Sequence, residues 1–184
     1  MTTWRAWSDE LTMRVAKAVK SRRIALGLTA SELADRTAVG KPLTRAVISD
    51  LETGRKKSLE VSELLTLAAA LELPPILLLF PDYPDGTVEL VPETERGNPD
   101  AVNWFSGSWP GPQPDLEAGA GVLLMRAVRK YHDARISWAL ARAHNQDGEG
   151  PLIADEAMKQ LQNEVVIAES RVKQAKANVW AADA

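Results

Sequence analysis

Residues 27–57 read Gly27-Leu28-Thr29-Ala30-Ser31-Glu32-Leu33-Ala34-Asp35-Arg36-Thr37-Ala38-Val39-Gly40-Lys41-Pro42-Leu43-Thr44-Arg45-Ala46-Val47-Ile48-Ser49-Asp50-Leu51-Glu52-Thr53-Gly54-Arg55-Lys56-Lys57. Gly27 is the kind of residue that ends a helix in a left-handed conformation. Thr29 and Glu32 are spaced as a capping box, so a second helix starts there, with Leu33 and Ala34 facing inward. Gly40 and Pro42 interrupt it, and Pro42 favours a loop over 40–43, because it disfavours helix at Lys41 and has no backbone donor. Thr44 then caps another short helix. At 100° per residue, Val47, Ile48 and Leu51 share its buried face, and Arg45, Ala46, Ser49 and Asp50 point outward.

Working outward, Leu11, Val15, Ala18 and Val19 recur at three- and four-residue steps before Gly27, with Lys17, Lys20, Arg22 and Arg23 between them. This predicts an amphipathic first helix whose start Ser8 or Asp9 can cap. After Lys57, Leu64, Leu65, Leu67, Ala68 and Leu71 predict a fourth helix from about Val61. Pro74-Pro75 stops it before a fifth apolar turn, Ile76 to Phe80. Five short helices around one core are expected over residues 1–80.

Three spaced features agree with one another: Gly27-Leu28-Thr29 with Glu32-Leu33-Ala34, then Ile48-Ser49 with Leu51-Glu52 and Gly54-Arg55, then Leu64, Leu67-Ala68 and Ala70-Leu71. On them, the segment from about Asp9 to Phe80 resembles the Cro and phage-repressor family, or XRE family, of helix-turn-helix transcription regulators. The resemblance implies a lambda-repressor-like, all-α DNA-binding domain. Matching Leu51-Glu52-Thr53-Gly54 to the end of the family's recognition helix places Thr44, Arg45, Ala46, Ser49 and Asp50 toward the major groove. Arg45 is suited to donate two parallel hydrogen bonds to a guanine, Ala46 to touch a thymine methyl, and Asp50 to accept from a cytosine amino group. Arg55, Lys56 and Lys57 leave the helix beside the backbone, and Lys41 sits in the loop before it. All four are expected phosphate contacts, which add affinity but little sequence information. Arg23 and Glu52 resemble the ion pair with which the family fixes its first helix against the recognition helix. Ala30 departs from the polar residue often found at the second helix's start, which leaves backbone amides to meet a phosphate there. The turn between Val39 and Ile48, nine positions apart, is longer than many members carry.

The 184 residues, 45% apolar and 26% charged, suit one sizeable core or two small ones. The longest apolar run, Ile76 to Phe80, is too short for a membrane span, and the N-terminus lacks the order of a signal peptide. A cytoplasmic protein is expected. The absence of cysteine excludes disulfides and zinc fingers. The net charge of −3 is uneven: +3 over residues 1–80, −7 over 81–121 and +1 over 122–184. The basic surplus lies with the motif, as DNA binding requires.

Residues 81–121 hold seven prolines and six glycines, which preclude a long helix and mark an acidic connector. Thr87 to Val91 nevertheless alternates like a strand, and Trp104, Phe105 and Trp109 argue for an ordered wrap on neighbouring structure. An acidic clasp over the basic DNA surface is the functional alternative. Residues 122–184 predict a helical hairpin broken at Asn145 to Pro151. In its second arm Met158, Leu161, Val165, Ala168, Val172, Ala175 and Val179 form a heptad seam, while in the first Leu124, Val128, Tyr131, Trp138 and Leu140 are the apolar positions. Arms of about 30 residues extend about 45 Å and cannot bury both faces. The second surface is either the N-terminal domain or, as we favour, the same hairpin of a second chain, giving a homodimer with a four-helix bundle.

These features point to a sequence-specific regulator of double-stranded DNA, a repressor. An antitoxin-like interaction protein, whose C-terminal helices bind a protein partner, is the alternative. Catalysis, cofactors and metals are not expected. His132 and His144 are twelve apart, outside the helical spacing of a metal pair. Ala118-Gly119 and Ala120-Gly121 are similar to the bond cut in self-cleaving phage repressors, but the helices after Gly121 leave no room for the β domain that does that chemistry.

Overall fold

Thr3, not Ser8 or Asp9, opens the first helix: in a computed structural model its hydroxyl accepts the Ala6 N–H at 3.2 Å, and α1 runs Trp4–Ala25. The structure describes residues 1–37, 43–108, 118–147 and 152–180. Trp4 and Trp7 therefore lie on α1, and the Trp7 indole donates to the Glu89 carbonyl at 3.1 Å. That bond satisfies a polar tip that the ring would otherwise carry into an apolar contact. At the other end, Gly27 sits at φ +69, with Leu28 N–H bonded to Arg23 O at 3.0 Å and Gly27 N–H to Ile24 O at 2.9 Å. This Schellman pattern closes the carbonyls of the last turn.

α2 (Ala30–Arg36) starts at the Thr29–Glu32 capping box, whose two bonds measure 3.2 and 2.7 Å. The Thr29 N–H holds the exposed Glu32 carboxyl below its usual range, so the carboxylate half of the box is intact above ordinary carboxylate pKa values and weakens as pH falls through the lowered one, while the Thr29 hydroxyl half is unaffected. α3 (Arg45–Glu52), α4 (Val61–Ala70) and α5 (Pro75–Leu79) complete the five helices expected. The core they enclose contains Val15, Val19, Leu33, Ile48, Leu51, Leu67, Leu71 and Leu78, each 2% exposed or less. Every one lies at a position that the helical periodicity assigned inward, except Leu78, which α5 supplies.

The strand expected at 87–91 is present as β1 (Thr87–Val91). It pairs antiparallel with β2 (Thr94–Gly97), Val88 opposite Arg96 and Val91 opposite Thr94. Alternation along β1 buries Val88 and Leu90 against Phe80 and Ala101, the latter on α6 (Asn98–Phe105). Thr-Glu-Arg-Gly in β2 has no apolar alternation, so only pairing with β1 makes it a strand. Residues Met1–Phe105 form one compact unit, which includes this hairpin and α6.

The second compact unit begins at Ser106 and contains α7 (Ala120–Asp147) and α8 (Asp155–Trp180), packed along each other as a hairpin. The Asn145 side chain closes it, donating to Ile153 O at 3.0 Å and accepting from Ile153 N–H at 2.8 Å. On α8 the heptad seam is as expected, with Ala168 buried and the other six members half-buried. On α7 the seam differs. Val128 and Leu140 are 41% and 66% exposed, while Leu124, Tyr131 and Trp138 face inward together with Ala127, Ala134 and Ala141, which take the alternate places. The physical reason is helix approach: alanine at alternate seam positions lets the two backbones close up, which larger residues would prevent. Arg135 and Arg142 fold back over Tyr131 and Trp138 at 5.8 and 5.4 Å from the ring centroids, so neither charge interrupts the packing.

Candidate nucleic-acid interface

The outer face of α3 is built by burial of its inner one. Ile48 and Leu51 anchor the helix in the core, and the 100° step then leaves Arg45 and Ala46 exposed and Ser49 and Asp50 half-buried on the other side. The Thr44 hydroxyl accepts the Val47 N–H at 3.3 Å and so works as the helix cap. Leu43, two residues before α3, is held by Thr37. Buried at 1% exposure, its hydroxyl donates to Ala34 O at 2.7 Å and accepts the Leu43 N–H at 3.0 Å. Lys41 lies outside the described residues.

Arg23 and Glu52 meet in a two-pronged pair, Nε to Oε1 and Nη2 to Oε2, both at 2.6 Å, while Nη1 donates to Leu28 O at 2.7 Å. The hydrogen bond to Glu52 raises the guanidinium pKa above its ordinary value despite burial. One side chain thus joins the end of α1, the turn after Gly27 and the end of α3. A carboxylate at a helix C-terminus opposes the helix dipole and would repel phosphate, and the guanidinium neutralises both effects.

Past Glu52 the chain reverses at Gly54, at φ +72. The Gly54 N–H bonds Leu51 O at 3.0 Å and the Lys56 N–H bonds Asp50 O at 2.9 Å. A Cβ on Gly54 would lie 2.5 Å from the Met13 terminal methyl, so this turn is also packed tightly against α1. Gly54→Ala is expected to cost about 1–3 kcal/mol, mostly from the left-handed backbone, since the Met13 methyl ends a flexible side chain that can swing aside. Urea denaturation checks this, and the double variant with Met13→Ala should recover only the steric part.

Two of the expected DNA contacts are joined to each other: Arg55 Nε lies 2.7 Å from Asp50 Oδ1. Lys56 Nζ lies 3.0 Å from Glu63, a mostly buried carboxylate that also completes the cap of α4 through the Glu60 N–H at 2.9 Å. Lys57 is exposed, as is Arg45, and neither makes an ion pair among the described residues. Among the described residues, the surface around α3 therefore offers two uncommitted cations, Arg45 and Lys57, and two held by carboxylates. Thr37, Met13 and Glu63 support this surface without having stood out in the sequence. Only Glu63 carried a readable signal, its place three residues after the cap position of α4.

Residues 19–78 match a family model described as a helix-turn-helix (HTH_3). No curated protein and no solved structure matches the chain. Among the described residues no helix is long and apolar enough to cross a membrane, and no group of His, Asp and Glu side chains is placed to hold a metal ion.

Proposed function

We propose, from the match of residues 19–78 to a helix-turn-helix family model, that this protein is a DNA-binding regulator, a sequence-specific repressor which lays α3 in the major groove. The observation that carries this reading is the division of α3 between a fully buried Ile48 and Leu51 and an outer face headed by an exposed, uncommitted Arg45. Arg45 is the base reader, with Thr44, Ala46, Ser49 and Asp50 around it. Lys57 meets phosphate directly. Arg55 and Lys56 exchange their carboxylate partners for phosphate, and Lys41 adds a contact from the preceding loop. Repression follows from occupancy of an operator that overlaps a promoter.

The hairpin of α7 and α8 pairs with that of a second chain, so that two recognition helices read half-sites about 34 Å apart. Exposed Val166 and Ile167 on α8 support a partner on this arm, and they equally support the antitoxin-like reading, in which a different protein covers it.

Selection of bound sequences from a random DNA library, with the solution mass of protein and complex, tests the proposal. A palindromic site bound by a dimer is expected. Absence of enrichment would overturn the repressor reading, and monomeric mass the pairing. On the selected site, Arg45→Ala should weaken binding by about 1–3 kcal/mol and relax preference at one base pair. Unchanged sequence preference in that variant would remove Arg45 as the reader.

A further inference from the structure

A cleft of about 1060 Å3 in the Met1–Phe105 unit lies between α1 and the β1–β2 hairpin, and no residue of α3 lines it. Its volume is at the top of the range of about 300–1,000 Å3 usual for small-molecule sites. One wall is a single stripe of α1, on which Glu10, Met13, Arg14 and Lys17 recur at helical spacing.

Arg14 is the unusual member. Its side chain is only 15% exposed, yet its sole ion pair among the described residues is with Glu10 at 4.0 Å, beyond hydrogen-bond length. Two arginines in the last turn of α1 are engaged by contrast: Arg22 donates to Leu71 O at 3.1 Å, and Arg23 uses all three of its nitrogens. Burial pushes the Arg14 pKa down, outweighing the attraction of Glu10, Asp82 and Glu89. The guanidinium stays charged, and its nitrogens reach solvent in the cleft rather than protein acceptors. An anionic group entering the cleft would supply such acceptors.

The rest of the lining restricts what that anion can belong to. Five carboxylates face three cations there, so a phosphate or dicarboxylate would be repelled. A single carboxylate on a molecule that also carries an ammonium meets both signs: Arg14 takes the first, and Glu10, Asp82 and Glu89 the second. Leu77 and Tyr83 provide an apolar wall for whatever joins the two charges.

We propose that this cleft binds a zwitterion of amino-acid or short-peptide type, held by its carboxylate at Arg14, and that occupancy changes the affinity for DNA. The route to DNA rests on the DNA-binding reading above and runs through Met13. Its side chain lines the cleft, and its methyl packs against Gly54, the residue that ends α3. A ligand that displaces Met13 alters the contact that sets the end of the recognition helix.

The test is a thermal-shift and calorimetric titration of the full chain with each of the twenty common amino acids and a random tripeptide library, every probe also as its C-terminal amide. The acid forms of one of the two probe sets are expected to stabilise the protein and bind, and the volume favours tripeptides. Their amides should bind at least about tenfold more weakly, because the charge-assisted bonds to Arg14 are lost. Arg14→Gln should lose about the same factor while its DNA affinity without ligand stays unchanged. If that variant does not fold, Arg14→Lys, which keeps the charge without the two-pronged fork, should give a smaller loss. No binding by either set, or amides that bind as tightly as acids, would overturn the site. Bound ligand should then shift the affinity for the selected DNA by about fivefold or more, and an unchanged affinity would overturn the coupling. Ligand titration involves no DNA, so a chain that binds tripeptides but no DNA would refute the repressor reading and leave the site standing.

Discussion

Glu52→Ala is expected to lower the unfolding free energy by about 3–5 kcal/mol, the range seen when one partner of a buried, hydrogen-bonded ion pair is removed. The side chains of Arg23 and Glu52 are 13% and 7% exposed, so water cannot replace what the guanidinium loses. Two bonds of 2.6 Å vanish, and only the Leu28 carbonyl remains for Arg23. Replacing both partners by apolar residues of similar volume, Arg23→Met with Glu52→Leu, should be far milder, because no charge is left stranded. A double-mutant cycle in urea separates the pair from its parts. A loss under about 1 kcal/mol for Glu52→Ala would class the pair with ordinary surface bridges and refute its bracing role. DNA affinity should fall as well, since α3 would lose the connection that fixes its end to α1.

Ile48→Ala is expected to cost about 2–5 kcal/mol. Ile48 is fully buried where α3 meets the five-helix core, and neighbouring side chains can collapse only partly into the space it leaves. Domains of this size have about 5–15 kcal/mol in hand, so the variant should melt well below the wild type and sit near the threshold for folding. Its outer face is unchanged. At low temperature, with the folded fraction measured by circular dichroism, the preferred DNA sequence should be the same as for the wild type. A changed preference would mean that Ile48 influences the reading face directly rather than by holding the helix in place. Ile48→Val, which removes one methylene, should cost about 0.5–1.5 kcal/mol.

Most of the five-helix unit was legible because its signals are local and redundant. The Thr29–Glu32 box, the Thr44 cap and the glycines at 27 and 54 act over a few residues, and the apolar spacing of Val15, Leu33, Ile48 and Leu51 assigns each helix an inward face before any partner is known. The start of α1 was misplaced by a few residues, because Thr3 and Ser8 are both good caps and only packing of Trp7 against the Glu89 carbonyl decides between them. β2 and α6 escaped notice for a related reason. A polar Thr-Glu-Arg-Gly strand and a proline-bearing eight-residue helix have little preference of their own until β1 and Phe80 give them something to pack against.

The candidate DNA face divides in the same way. Which residues α3 turns outward follows from periodicity, but which of their charges are already engaged does not. Asp50 to Arg55 and Lys56 to Glu63 are contacts made across turns, and no spacing rule distinguished them from Lys57. In the second unit, periodicity found the α8 seam and the Leu124, Tyr131 and Trp138 half of the α7 seam but missed its alanines, because alanine carries little apolar signal although its small size is what lets helices approach. The sequence by itself determined the number, order and inward faces of the first five helices and the place of the recognition helix, since caps and 3.6-residue periodicity are short-range physics. Tertiary structure alone decided the partners of the charged side chains, the alanine half of the α7 seam, and the cleft that leaves Arg14 with no protein acceptor within hydrogen-bond reach. Each of these depends on distances between elements far apart in the chain, and those distances exist only after packing has set them.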